Sequence, residues 1–235
     1  LKDKINLVGH SFGGATVRLF TSLLAFGNAD EIAATGKETS PLFTGGHDCV
    51  HSCITLSAPH NGSQVANQLV DPEVTMLLMA TALNFIGMIF GNNFLVFAFQ
   101  LGHMGLTPKQ DRFRAFFSPE GIRSYCGTND NCGYDMTLRG ASELNEKIKT
   151  VDNVYYYSYI CNSAYKTPLG NYLPVKSNFV LFYLTSIYIG ALEGETIDGI
   201  YMDESWAKND GIVPYASALY PSTDKDTAIS YGDAV

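Results

Sequence analysis

The sequence predicts an α/β fold, a mostly parallel sheet with flanking helices, and three observations carry that prediction. An apolar run, Ile5-Asn6-Leu7-Val8, passes through a glycine-rich turn directly into a helical stretch from Gly14 to Leu24. That strand–turn–helix order is the unit from which parallel sheets are built. Two further strand-like runs, Val50 to Leu56 and Val154 to Ile160, recur with helical stretches around them. The chain's 235 residues are 46% hydrophobic and 16% charged, which gives one large domain a real core and excludes a disordered segment.

The first turn carries the chemistry. Gly9-His10-Ser11-Phe12-Gly13 is a G-x-S-x-G motif with a strand before it and a helix after it. In that context the motif is the nucleophile elbow of the α/β-hydrolase fold. Flanking glycines let the helix begin close against the strand, and the serine is held in a strained turn with its hydroxyl exposed. Ser11 is then a nucleophile, and the Phe12 N–H is an oxyanion donor for an acyl-transfer intermediate. The plainer reading is a glycine-rich turn around an ordinary serine.

The remaining elements follow in order. Residues 12–26 read as the helix behind the elbow, and Asn28 to Ala34 as a short helix capped by Asn28 or Asp30. Pro41 to His47 reads as loop. Val50 to Leu56 is a buried strand, left by the turn Ser57-Ala58-Pro59-His60-Asn61-Gly62 at its C-terminal end, where open α/β sheets place their sites. No charged residue occurs between Glu73 and Lys109. A spanning helix is opposed there by Asn84, Gly87 and Gly91-Asn92-Asn93, and a buried helix pair is the plain alternative. The favoured reading is a helical lid inserted at about residues 71–108 with a wide apolar face toward lipid. Ala141 to Lys149 reads as helix, Val154 to Ile160 as a tyrosine-rich strand, and Phe179 to Gly190 as a second apolar element.

A net charge of −8 argues against a nucleic-acid partner, and no phosphate loop, internal repeat or transmembrane segment is present in the sequence pattern. Of five cysteines, Cys126 and Cys132 bracket a polar turn that a disulfide would close, which implies an oxidising setting. Cys49 and Cys53 share a strand face but sit too far apart to bond easily, and Cys161 reads as a buried strand residue. About ten residues before the nucleophile are few for a hydrolase sheet, so the chain reads as a piece of a longer protein.

Six short motifs, in order, resemble the secreted triacylglycerol lipases of the bacillary and staphylococcal group. They are Gly9-His10-Ser11-Phe12-Gly13-Gly14; Pro41-Leu42-Phe43 with Gly45-Gly46-His47; Pro59-His60-Asn61-Gly62; Tyr134-Asp135-Met136-Thr137 with Gly140-Ala141 and Leu144-Asn145; Gly170-Asn171-Tyr172; and Trp206 with Asn209-Asp210-Gly211-Ile212-Val213. The resemblance implies long-chain acyl-ester hydrolysis, a lipid substrate met at an interface, and an extracellular location. It implies Ser11 as nucleophile and Asp210 as the triad acid that orients a histidine. That histidine lies beyond the acid in the family, whereas all five histidines here precede Asp210. The chemistry needs no cofactor. The resemblance implies a structural zinc in the intact protein, with Asp130 aligned to one of its four ligands and the others upstream of the nucleophile; a family calcium site rests on residues mostly past Val235, which leaves calcium open. A catalytically inactive α/β-hydrolase-fold module that binds lipid or protein is the alternative function, and an acyltransferase or phospholipid-directed hydrolase is a third.

Overall fold

The computed structural model describes residues 4–71 and 127–228, together with 73, 91, 118, 120, 123 and 124. The expected lid at 71–108 therefore lies almost wholly outside the described residues, as does Cys126 of the expected disulfide loop. The chain divides into two compact units, Leu1–Val65 with Asp135–Val235, and Ala66–Tyr134. Everything in this subsection belongs to the first unit.

Strands β1 (Ile5–His10), β2 (Val50–Leu56) and β3 (Tyr155–Tyr159) form a parallel sheet in that order. In register, Leu7 lies beside Cys53 and Cys53 beside Tyr156; Gly9 lies beside Thr55 and Thr55 beside Ser158. Side chains alternate across a strand, so these six share one face. Helix α1 (Phe12–Phe26) packs on that face. Its Gly14 lies so close to the sheet that a Cβ there would meet Ala58 and Thr55. The Gly27 N–H ends the helix on the Leu23 carbonyl (2.8 Å) with φ of 69°, a conformation that favours glycine. Helix α2 (Ala29–Thr35) starts where the Asn28 side chain accepts from the Glu31 N–H (3.0 Å), which decides between the two caps the sequence offers, Asn28 and Asp30.

The other face of the sheet carries Val8, Ile54 and Tyr157, then His10, Leu56 and Tyr159. Val8 and Tyr159 are each about three-fifths exposed, so the two faces differ sharply in cover. Helix α3 (Leu138–Lys147) begins three residues before the predicted Ala141 because Thr137 accepts the Gly140 N–H (2.9 Å) and caps it. Its Leu138 is fully buried with Met202 and Trp206, and Ile197, Ile200 and Ala216 pack around them. Burial of a leucine of this kind contributes about 2–3 kcal/mol.

Two short antiparallel pairs were not anticipated: β4 (Ala164–Lys166) with β5 (Tyr172–Pro174), and β6 (Thr196–Ile197) with β7 (Ile200–Tyr201). Strands of two or three residues are too short to show alternation. Helix α4 (Tyr183–Ala191) realises the second apolar element, and α5 (Glu204–Ala207) and α6 (Tyr215–Leu219) flank the Asn209–Pro214 turn. Among the described residues no helix is long and apolar enough to cross a membrane. Cys161 is corrected: it lies beyond the end of β3 and is exposed, because β3 stops at Tyr159.

Candidate active site

Ser11 stands between the last residue of β1 and the first of α1, with φ of 55° and ψ of −131°. A positive φ is costly for a residue with a Cβ and persists only where its surroundings impose it. Two bonds impose it: the Ser11 N–H donates to the Leu56 carbonyl of β2, and the Ser11 carbonyl accepts from the Gly14 N–H, both at 2.9 Å. A serine before a helix ordinarily caps it with its hydroxyl. Here the side chain makes no capping bond and is half-buried, so the hydroxyl is not spent on the helix. Ahead of Gly14, the N–H groups of Phe12 and Gly13 have no carbonyl one turn back, and they form the positive end of the helix. They are the donors available to an oxyanion near Ser11.

The glycines divide the labour unevenly. A Cβ on Gly9 would fall on the Gly13 carbonyl, and one on Gly14 on Ala58, whereas Gly13 has open space. The close strand–helix approach expected of the motif therefore rests on Gly9 and on Gly14, one residue beyond it.

Asp210 is half-buried in the turn between α5 and α6. Its Oδ1 accepts the N–H groups of Ile212 (3.0 Å) and Val213 (2.8 Å), so one oxygen shapes the turn. Fully buried Asn209 fixes the turn from below: its Nδ2 donates to the Ala207 carbonyl (2.8 Å) and its Oδ1 accepts the Gly211 N–H (2.9 Å). The turn is tied to the strand ends. Ser63 Oγ donates to the Ile212 carbonyl (2.5 Å), and the Ser163 N–H to the Asn209 carbonyl (2.8 Å). Ser11 and Asp210 thus both belong to the structure built around the C-terminal ends of the strands, and no bond joins them directly.

His60 is 2% exposed. Its Nε2 lies 3.0 Å from Thr55 Oγ1 and 3.3 Å from Ser158 Oγ, on the α1 face of the sheet, and Nδ1 is buried with no partner among the described residues. Burial, reinforced by the Arg18 charge, pushes its pKa down to about 3. It is a neutral structural ring. Its backbone is held by the Ser217 carbonyl (3.1 Å) and by Asn145 Nδ2 (2.8 Å), and Asn145 Oδ1 takes the guanidinium of buried Arg18 (3.1 Å). Burial lowers the pKa of Arg18 also. Asn61 extends the same network through Ser217 Oγ (3.0 Å) and the Tyr220 carbonyl (2.8 Å).

The other described histidines lie elsewhere. His10 is exposed on the sheet face away from α1. His47 Nε2 is 3.0 Å from the Pro41 carbonyl, and His51 meets the Tyr155 ring edge-on. Asp130 lies in the Ala66–Tyr134 unit, exposed, its own N–H donating to Thr128 Oγ1 (3.0 Å). No group of three or more His, Cys, Asp or Glu converges among the described residues. Asp130 there supplies one carboxylate, short of the about four donors zinc takes.

Asn209, Asn145 and Ser217 also hold this site, and the sequence signals only the first two, by a side-chain amide in a tight turn and one on the apolar side of a helix.

A strained serine at a strand-to-helix elbow, in a parallel sheet with a helix on its inner face, defines an α/β-hydrolase fold. Within it, the chain belongs to the family described as lipase-like, C-terminal domain, which matches residues 2–232. It is 37% identical over 223 residues to Lipase 2 of Staphylococcus aureus (strain MRSA252), covering 93% of this chain and 30% of that protein. It is 33% identical over 228 residues to a lipase of Staphylococcus epidermidis, covering 95% of this chain and 31% of the other. Among solved structures, EstA from Clostridium botulinum matches with a TM-score of 0.79 and 28% identity, over 98% of this chain and 55% of that one. Staphylococcus hyicus lipase matches with a TM-score of 0.69 and 28% identity, over 93% and 54%. The chain thus spans about 30% of the length of the S. aureus and S. epidermidis lipases it matches.

Proposed function

We propose that the intact protein hydrolyses carboxylic esters of long-chain acyl lipids through an acyl-enzyme on Ser11. The observation that carries this reading is the elbow itself: a serine held at φ of 55° by β2 and α1, with its hydroxyl free of the helix. Ser11 Oγ attacks the ester carbonyl carbon and gives its proton to a histidine base. The Phe12 N–H stabilises the oxyanion, and the proton passes to the departing alcohol. Water then attacks the acyl carbon by the same route and frees the acid. Asp210 orients the base and stabilises its imidazolium. The base is assigned outside the described residues, since His60 is sealed at 2% exposure with its Nε2 against Thr55 and Ser158. The staphylococcal relatives named lipases support the substrate class. An extracellular location belongs to the same reading.

One competing reading is a fold of this class that binds lipid without chemistry: among the described residues Asp210 holds the Ile212 and Val213 N–H groups and no histidine. Labelling of the intact protein with a fluorophosphonate separates the two. A hydrolase forms a phosphonate ester that maps to the peptide carrying Ser11 and vanishes in Ser11→Ala. An unlabelled protein that still binds lipid makes the inactive reading correct.

A further inference from the structure

The Asp210 carboxylate is held through one oxygen. Its Oδ1 accepts from the Ile212 N–H (3.0 Å) and the Val213 N–H (2.8 Å), and among the described residues Oδ2 takes no hydrogen bond. Each of those N–H groups shares a planar trans peptide unit with the carbonyl before it, so N–H and C=O point in opposite directions. Both carbonyls are gripped from outside the turn. Thr185 Oγ1, on α4, lies 2.5 Å from the Gly211 carbonyl, whose peptide unit carries the Ile212 N–H. Ser63 Oγ, in the turn after β2, donates to the Ile212 carbonyl (2.5 Å), whose unit carries the Val213 N–H. The Thr185 hydroxyl has one proton and a second acceptor, the Phe182 carbonyl at 3.0 Å, so the nearer Gly211 carbonyl takes it. Ser63 is itself fixed: it is 3% exposed, and its N–H donates to the Met136 carbonyl (2.9 Å).

We propose that Ser63 and Thr185 are positioning residues for the triad acid. Their hydroxyls clamp the two peptide units on which Asp210 Oδ1 rests, and so set where Oδ2 meets the histidine. The inference rests on the hydrolase reading and adds to it the side chains that aim the acid. The clamp comes from two separate elements, the turn that leaves β2 and helix α4, so neither element can shift without turning one of the peptide units. An oxygen that receives two hydrogen bonds from fixed directions fixes the plane of its carboxylate, and with it the second oxygen. Without the clamp the turn still closes on itself, through the Asp210 N–H on the Val213 carbonyl (3.2 Å) and Asn209 Oδ1 on the Gly211 N–H (2.9 Å). The carboxylate then meets the base off its line, and a misplacement of about 1 Å costs on the order of 10²-fold in rate.

The test uses the intact protein and soluble p-nitrophenyl butyrate, with rates normalised to the serine that a fluorophosphonate titrates. Ser63→Ala and Thr185→Val are each expected to lower kcat by about tenfold with KM within about twofold, and the double variant on the order of 10²-fold. The acid limb of kcat/KM reports the base. A carboxylate against the ring raises the imidazolium pKa, so a misaimed one lets that limb move to lower pH, by at least about half a pH unit. Ser63→Thr keeps the hydroxyl and is expected to stay within about threefold of the parent, with the limb in place. Where Ser63→Ala yields no titratable serine, Thr185→Val carries the same two readouts. Titrated variants that turn over at the parental rate overturn the proposal. So do variants that lose kcat with the acid limb unmoved, which makes the hydroxyls structural. A parent inert toward both phosphonate and ester overturns the hydrolase reading and the positioning role together, whereas an active parent with either of the preceding results overturns the positioning role alone.

Discussion

β1 and β2 run side by side, and each is followed directly by a serine with positive φ, Ser11 at 55° and Ser57 at 46°. Each donates its N–H sideways to the next strand, Ser11 to Leu56 and Ser57 to Tyr159. From there they diverge. Ser11 opens a 15-residue helix and stays half-buried; Ser57 opens the Ala58–Ser63 turn and is 8% exposed. Backbone strain at a strand end is therefore common to both and does not mark a nucleophile. What distinguishes Ser11 is the helix start behind it, which supplies free N–H donors, and access from outside. The Ser57 turn spends its polar groups on structure instead: His60 under the sheet, Asn61 and Ser63 on the segment around Asp210.

The sharpest way to break this comparison is to remove each hydroxyl in the intact protein. Ser11→Ala is expected to lower ester turnover by at least ~10⁴-fold, while Ser57→Ala stays within about threefold. Equal losses would show that the two strand ends are not functionally distinct.

Asp210→Asn separates chemistry from architecture. Asparagine keeps an acceptor for the Ile212 and Val213 N–H groups, so denaturation free energy should change by less than about 1 kcal/mol while turnover falls by about 10³–10⁴-fold. Asp210→Ala strands both donors and should cost a further 1–3 kcal/mol or so of stability. Asparagine and alanine variants of equal stability would mean the carboxylate does not hold the turn.

The glycines test the elbow's packing. Gly9→Ala drives a Cβ onto the Gly13 carbonyl and is expected to destabilise by about 3 kcal/mol. Gly13→Ala meets open space in the first turn of α1 and should shift stability by no more than about 1 kcal/mol, toward greater stability. Urea denaturation midpoints decide it; a reversed order would place the strand–helix contact elsewhere.

The titration effect of His60 is confined to acid pH. Its pKa is about 3 in the fold against an ordinary value near 6.5. Above about pH 6.5 neither state takes up the proton and the fold keeps its full stability. Below it the unfolded chain binds a proton that the fold refuses, so stability falls by up to about 1.4 kcal/mol per pH unit as pH drops toward 3. His60→Asn should be less stable at pH 8 yet show a shallower decline between pH 6 and 4. Parallel declines would show that the ring does not exclude the proton.

By itself the sequence determined the local elements: strand, elbow and helix from Ile5 to Phe26, the Asn28 cap, strand Val50–Leu56 and the tyrosine strand, because each is written in neighbouring residues through periodicity, caps and turns. It also singled out Ser11, Phe12 and Asp210 as residues of interest. It could not say that Gly14 rather than Gly13 shares the packing with Gly9, that His60 is sealed beneath the sheet, or that Cys161 is exposed. Nor could it join Arg18 to Asn145, 127 positions apart, or Ser63 to Ile212, 149 apart. Those depend on which chain segments the parallel sheet brings side by side. A crossover fold sets such contacts through packing between distant elements, and only the tertiary structure decides them.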